Sequence, residues 1–190
     1  MSQTPSPSHG SEPPLTSSLA PAGALIVLDT NVVLDWLVFG DPSSVPLAAA
    51  IMDKQVRWIA TAAMRGELAE VLRRGLAAAH GVDVGAVLTT WDACAEPCAE
   101  PARSAFSDVL RCTDADDQKF LDLARATGAR WLLSRDRAVL RLARRAASLG
   151  ITICVPERWS LSDRDRGRSS LTGPLPHHPA CGSAPGGSRS

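Results

Sequence analysis

The chain has 190 residues in which 20 Lys+Arg balance 20 Asp+Glu, so no bulk positive field advertises nucleic acid, and such a partner must be held locally. No apolar stretch approaches the ~20 residues that span a bilayer, and the N-terminus lacks the basic start and apolar core of a secretory signal, so a cytoplasmic protein is expected. Five cysteines at irregular spacing (Cys94, Cys98, Cys112, Cys154, Cys181), without a second close pair or a nearby His, point to reduced thiols and away from structural zinc.

Residues 1–22 are dominated by Ser, Pro, Thr and Gly, and residues 161–190 by Arg, Ser, Gly and Pro. Neither stretch carries apolar periodicity, so both are expected to be disordered tails around one domain at 23–160. Within that domain Leu25-Ile26-Val27-Leu28 reads as a strand buried on both faces, because a half-exposed strand would alternate apolar and polar residues. It ends in Asp29, at the carboxyl edge where open α/β sheets bind ligands. Asp29-Thr30-Asn31 equally suits the cap of a following helix.

Val32 to Phe39 is then a short apolar helix, stopped by Gly40, Asp41 and Pro42, and Val45 to Asp53 an Ala-rich one with Ser43 or Ser44 as its cap. Val56 to Ala60 is a second strand. Thr61 caps a helix to about His80 whose buried face is Leu68, Val71, Leu72 and Leu76, and Val82 to Cys94 forms another. From Glu96 to Arg111 the pattern is weak, with a short strand near 106–111 the one element to expect. Asp114 to Thr127 is a helix closed by Gly128; Trp131 to Ser134 a buried strand; Asp136 to Leu149 a helix; Ile151 to Cys154 the last strand. Strands alternating with helices imply a mainly parallel sheet covered on both faces.

The chemistry lies in the acids. Asp136 repeats the setting of Asp29, an apolar strand followed by a carboxylate and a helix, so two strands deliver an Asp at one sheet edge. Glu67 sits early in the helix after the second strand, where a solvated Glu is the ordinary reading. Asp114, Asp116 and Asp117 cluster at a helix start and exceed what one cap needs. Carboxylates ~4 Å apart repel by roughly 4 kcal/mol at an effective dielectric near 20, so such a cluster needs a proton, a cation or separation. Oxygen donors without His or Cys favour magnesium or manganese.

Val27-Leu28-Asp29-Thr30-Asn31-Val32, Glu67-Leu68-Ala69-Glu70-Val71-Leu72, Asp114-Ala115-Asp116-Asp117-Gln118-Lys119-Phe120-Leu121 and Leu133-Ser134-Arg135-Asp136 together resemble the ordered acidic motifs of PIN domains. They are most similar to the bacterial toxin branch of VapC-like ribonucleases, and the resemblance covers about 25–158. It implies a three-layer α/β/α sandwich around a mainly parallel sheet, and a metal-dependent ribonuclease acting on single-stranded RNA. By position, Asp29, Glu67, Asp117 and Asp136 would be the catalytic and metal-holding quartet, with Mg2+ or Mn2+ as cofactor. Asn31, Asp114, Asp116 and Ser134 match supporting positions, and Ala115 stands where the family commonly has Pro. The branch further implies a cognate antitoxin partner and a homodimer.

Arg135, next to the Asp136 carboxylate, is the candidate for an RNA phosphate contact. Arg137, Arg141 and Arg145, with Arg144 beside them, make a basic helix face: a solvated surface, an RNA track or an antitoxin contact. Trp36 and Phe39 suit core or a subunit interface better than base stacking. His9, His177 and His178 lie in the tails and His80 at a helix end, so no general-base His is expected. Two rivals remain. A haloacid-dehalogenase-like phosphatase would also use an Asp after an apolar strand, although Asn31 stands where it wants a second Asp. The other is a catalytically weak domain that binds RNA or a protein partner.

Overall fold

The structure, a computed structural model, describes residues 23–102 and 109–161. The expected disordered tails therefore lie almost wholly outside the described residues, as do positions 106–108 of the strand expected near 106–111; Val109 and Leu110 form a turn.

Five strands form one sheet: β1 (Ala24–Leu28), β2 (Val56–Thr61), β3 (Glu96–Cys98), β4 (Trp131–Leu133) and β5 (Thr152–Cys154). Their order is β3-β2-β1-β4-β5, and every pairing is parallel. β1 is the central strand, and its continuous apolar run suits a place with neighbours on both edges and helices on both faces. Ile26, Val27 and Leu28 are buried, and Ile26 pairs with both Trp58 and Trp131. Burying each such side chain is worth ~1.5–3 kcal/mol, so the strand that carries Asp29 belongs to the most cohesive part of the molecule.

Around the sheet lie α1 (Thr30–Leu34), α2 (Val45–Met52), α3 (Ala62–Val71), α4 (Ala77–Ala79), α5 (Val84–Cys94), α6 (Gln118–Thr127), α7 (Arg137–Leu140) and α8 (Ala143–Ala147), giving the three-layer α/β/α arrangement. α6 packs on β1 and β4, α3 on β2 and α5, and α8 on β5. Gly128, at φ 65°, closes α6 in the left-handed conformation that its missing Cβ makes cheap. Among the described residues no helix is long and apolar enough to cross a membrane.

Several boundaries differ from the sequence pattern. β3 was hidden by Pro97, which has no N–H to give a ladder; it is tolerated because β3 is an edge strand. Arg57 of β2 holds Glu96 of β3 through a forked ion pair, at 2.6 Å for the shorter contact. α2 follows a 3-10 turn at Pro42–Ser44 capped by Asp41, which accepts the Ser43 N–H at 2.8 Å; Ser44 holds the N-cap position of α2 as expected, without a capping bond from its side chain. The long helix from Thr61 is broken by a wide turn at Leu72–Leu76 where Gly75 has φ 116°. Asp83, not Val82, opens α5 by accepting the Gly85 N–H at 3.0 Å. α6 begins at Gln118 because Asp114 accepts the Asp116 N–H at 2.9 Å, and that side-chain turn competes with helix. α7 and α8 are two short helices rather than one. Trp36 packs against Trp58 at 5.8 Å, and Trp58 against Trp91 at 4.5 Å, which places Trp36 on the core; Phe39 meets the His80 ring at 4.9 Å and is 45% exposed.

Candidate active site

The strand order reverses between β1 and β4, since the chain runs outward from β1 to β3 and returns to the other side of β1 for β4 and β5. In an open parallel sheet the carboxyl ends at such a reversal frame a crevice. Leu28 pairs with Leu133, so the next residues, Asp29 and Ser134, emerge side by side there, and the Asp29 N–H donates to Leu133 O at 2.9 Å.

Asp29 is 3% exposed and caps α1. Its carboxylate accepts from the Ser134 hydroxyl, from Asn31 Nδ2 at 3.0 Å and from the Asn31 N–H at 3.4 Å. Burial nevertheless raises its pKa above the ordinary carboxylate value; those hydrogen bonds oppose the rise and the Glu67 charge adds to it. The two loops are stitched together twice more: Ser134 Oγ accepts the Asp136 N–H at 2.9 Å, and Asn31 Oδ1 accepts the Arg135 N–H at 3.2 Å. Asp136 then caps α7 by accepting the Ala138 N–H.

Asp117 is half-buried at the start of α6, with no capping bond from its side chain. Burial, then the charges of Asp29, Asp136 and Asp114, push its pKa up from 3.8 to about 6, while Lys119 works the other way. Asp29, Asp117 and Asp136 thus share one electrostatic neighbourhood, as α6 packing on β1 and β4 requires. Asp114 and Asp116 are exposed beside it.

Glu67 faces this group from α3 and is held by the Lys119 ammonium, with Nζ to Oε2 at 2.8 Å. Lys119 also donates to the Asp116 carbonyl and lies 4.7 Å from the Phe120 ring centroid. Glu67, Glu70, Arg74, Asp116 and Lys119 line a cleft of about 370 Å³.

Among the described residues no three His, Cys, Asp or Glu side chains stand close enough to ligate a single ion as they are. The donors nonetheless fit a hard dication in chemistry: they are all carboxylates, they crowd Asp117 with negative charge, and one already holds a compact cation, the Lys119 ammonium.

Three features escaped the sequence reading. Lys119 pairs with Glu67 although it neighbours the other acids in sequence. Gln118 fixes the approach to the acid-rich turn: its Oε1 accepts the Cys112 N–H at 2.7 Å, and its Nε2 donates to Leu110 O at 3.0 Å and Asp122 Oδ1 at 2.8 Å. Arg135 spends its guanidinium on Asp35, Asp41 and Glu157, and also donates to Ser43 Oγ at 3.0 Å. A phosphate reaching it would have to displace a carboxylate. The signal that could have flagged this is the run of acids after β1, Asp35 and Asp41, facing the only Arg between β4 and α7. Cys94, Cys98, Cys112 and Cys154 are free thiols, and Cys181 lies outside the described residues.

A family model of the PIN domain matches residues 25–138. No curated protein matches the chain. Among solved structures it is similar to VapBC2 from Rickettsia felis, crystallised bound to a DNA fragment from their promoter, with 13% identity and a TM-score of 0.49 over 68% of this chain and 96% of that one.

Proposed function

The chain belongs to the PIN-domain family, and from that premise we propose that it is a divalent-metal-dependent endoribonuclease cleaving single-stranded RNA, the toxin of a type II toxin–antitoxin pair. The observation that carries the nuclease reading is the meeting of Asp29 and Asp136 loops at the sheet's reversal point, joined through Ser134 and facing Asp117. Asp29, Glu67, Asp117 and Asp136 would hold magnesium or manganese, which supplies Lewis acidity toward a phosphodiester oxygen and a water.

The chain's own residues do the rest. Ser134 and Asn31 fix the Asp29 carboxylate in one orientation, and the Ser134 link sets the spacing to Asp136. Burial and the neighbouring carboxylates push the Asp117 pKa to about 6, a crowding of negative charge that a dication held by these oxygens would relieve. Asp114 and Asp116 add negative charge at the rim, in the supporting role that their motif implies. The toxin assignment, with an antitoxin partner and a homodimer, rests on the likeness of the four motifs to that branch.

Asp29→Asn tests the mechanism, because Asn keeps an acceptor for the α1 cap and removes the charge, at the cost of an NH2 where Oδ2 accepts from Ser134 and Asn31. The variant should fold with an unchanged far-ultraviolet spectrum and lose RNA cleavage, and chelation should silence the wild type until manganese is restored. Full activity of the variant, or activity that survives thorough chelation, overturns the proposal. The phosphatase alternative has little to stand on here, since Asn31 is occupied between Asp29 and the Arg135 N–H and carries no acid. A scaffold that only binds partners is separated by manganese titration, which should raise the melting temperature of a nuclease and leave such a scaffold unmoved.

A further inference from the structure

We propose that the outer face of α7 and α8 is a phosphate track: Arg137, Arg141, Arg144 and Arg145 carry the backbone of single-stranded RNA away from the carboxylates. The inference rests on the nuclease reading for the identity of the strand, and on the surface for its location. The helical segment buries Val139, Leu142 and Ala146, three to four residues apart, against the sheet. All four arginines are exposed on the opposite side.

Two features separate this face from an ordinary solvated one. The first is pairing. Arg57, Arg65, Arg74 and Arg135 each sit on a carboxylate, whereas these four, like the scattered Arg73, Arg111 and Arg158, make no ion pair among the described residues; what sets the four apart is that they are neighbours on one surface. From Arg137 to Pro156 there is no Asp or Glu at all, in a chain whose acids and bases balance. A helical surface with no need of a partner normally mixes its signs; α7, α8 and the turn between them concentrate four cations with no acid in the same stretch.

The second is continuity with the site. α7 begins at Asp136, its cap, so Arg137 is the residue that follows one of the carboxylates in the chain, and Arg141 comes one turn later, ~6 Å along the axis. A strand whose scissile phosphate lies at Asp29 and Asp136 meets this line of guanidinium groups as it leaves. Arginine suits the task because its planar fork grips phosphate oxygens in pairs. The contacts would be made to phosphate and carry no sequence preference of their own.

The test uses full-length protein carrying Asp29→Asn, so that binding is read without cleavage, and a short fluorescein-labelled single-stranded RNA followed by anisotropy from about 50 to 200 mM salt. Adding R137S, R141S, R144S and R145S should raise Kd by about tenfold or more at the lower salt and flatten the log Kd against log salt slope by about 3, at ~0.7 per lost phosphate contact. Replacing the same four by Lys should leave most of the slope in place, which controls for misfolding alongside a melting curve. Unchanged Kd and slope in a folded serine variant overturns the track. So does loss of binding to an acidic polypeptide such as polyglutamate with RNA binding intact, which would assign the face to a protein. If the wild type cleaves no RNA while the serine variant still loses binding, the nuclease reading falls and the track stands.

Discussion

Ser134 and Asp29, 105 positions apart in the chain, share a hydrogen bond in which the fully buried serine hydroxyl donates to the aspartate Oδ2. The same Oγ accepts the Asp136 N–H at 2.9 Å, so one side chain sets the distance between two carboxylates. Ser134→Ala should cost about 1–3 kcal/mol of stability, because Asp29 and the Asp136 N–H each lose a partner in a site water does not easily reach. Urea denaturation measures it. A loss of under a few tenths of a kcal/mol would mean that the site relaxes around the missing hydroxyl.

Asp117 and Asp29 both have raised pKa values, Asp117 at about 6 against an ordinary 3.8. For a carboxyl raised in the folded state, the folded chain holds a proton that the unfolded chain has released, and the resulting stability is full below 3.8 and lost as pH rises through about 6. The metal-free protein should therefore melt higher near pH 5 than near pH 7, with the difference smaller in Asp117→Asn. Asp41, Asp92, Glu96 and Glu157 have lowered values, so their opposing contribution fades only in stronger acid, below the ordinary 3.8–4.5. A melting temperature that rises toward neutrality in the absence of metal, or an equal pH dependence in Asp117→Asn, would refute this assignment. Manganese should reverse the trend, because cation and proton compete for the same oxygens.

The site was legible where it was written locally. An apolar strand that stops at a carboxylate identifies both Asp29 and Asp136 and the edge they share, since a parallel sheet delivers strand ends to one side. Gly128 announces the end of α6 for an equally local reason, the left-handed φ of 65°. What stayed hidden depends on partners distant in the chain. β3 is three residues around Pro97 and exists because β2 offers an open edge and Arg57 holds Glu96. The Lys119 to Glu67 pair and the carboxylates around Arg135 follow from how α3, α1 and the turn at Pro156–Arg158 dock, which no spacing rule encodes. One of the three clustered aspartates, Asp117, does hold the N-cap position of α6, but the helix starts later than the expected Asp114, because Asp114 uses its side chain to make a turn of its own.

Lys119 places a positive charge 2.8 Å from Glu67 Oε2, against one of the oxygens proposed for the ion. Lys119→Met keeps most of the chain lying on Phe120 and removes the charge. Manganese should then bind about tenfold more tightly, a fraction of the roughly 4 kcal/mol by which two unit charges ~4 Å apart interact near a protein surface. Titration followed by the manganese paramagnetic resonance signal gives the affinity directly. Weaker binding in the variant would show that the ammonium organises Glu67 for the ion instead of competing with it.

Arg135 joins three segments, touching Asp35 after α1, Asp41 before α2 and Glu157 in the turn at Pro156–Arg158. Asp35 is the best-shielded of these partners, with 15% of its side chain exposed, so most of the stabilisation belongs to that pair. Arg135→Ala should lower stability by about 1 kcal/mol, with the gap to wild type shrinking at ~1 M salt where charges are screened over about 3 Å. Arg135→Lys should recover only part of it, because one ammonium cannot reproduce a planar fork that meets several acceptors at once. Thermal melts at low and high salt, paired with RNA anisotropy, separate two roles for this residue. Lost stability with RNA affinity retained fits the clamp seen here. Unchanged stability with weakened RNA binding would instead mean that the guanidinium leaves its carboxylates for a phosphate, the role its position beside Asp136 first suggested.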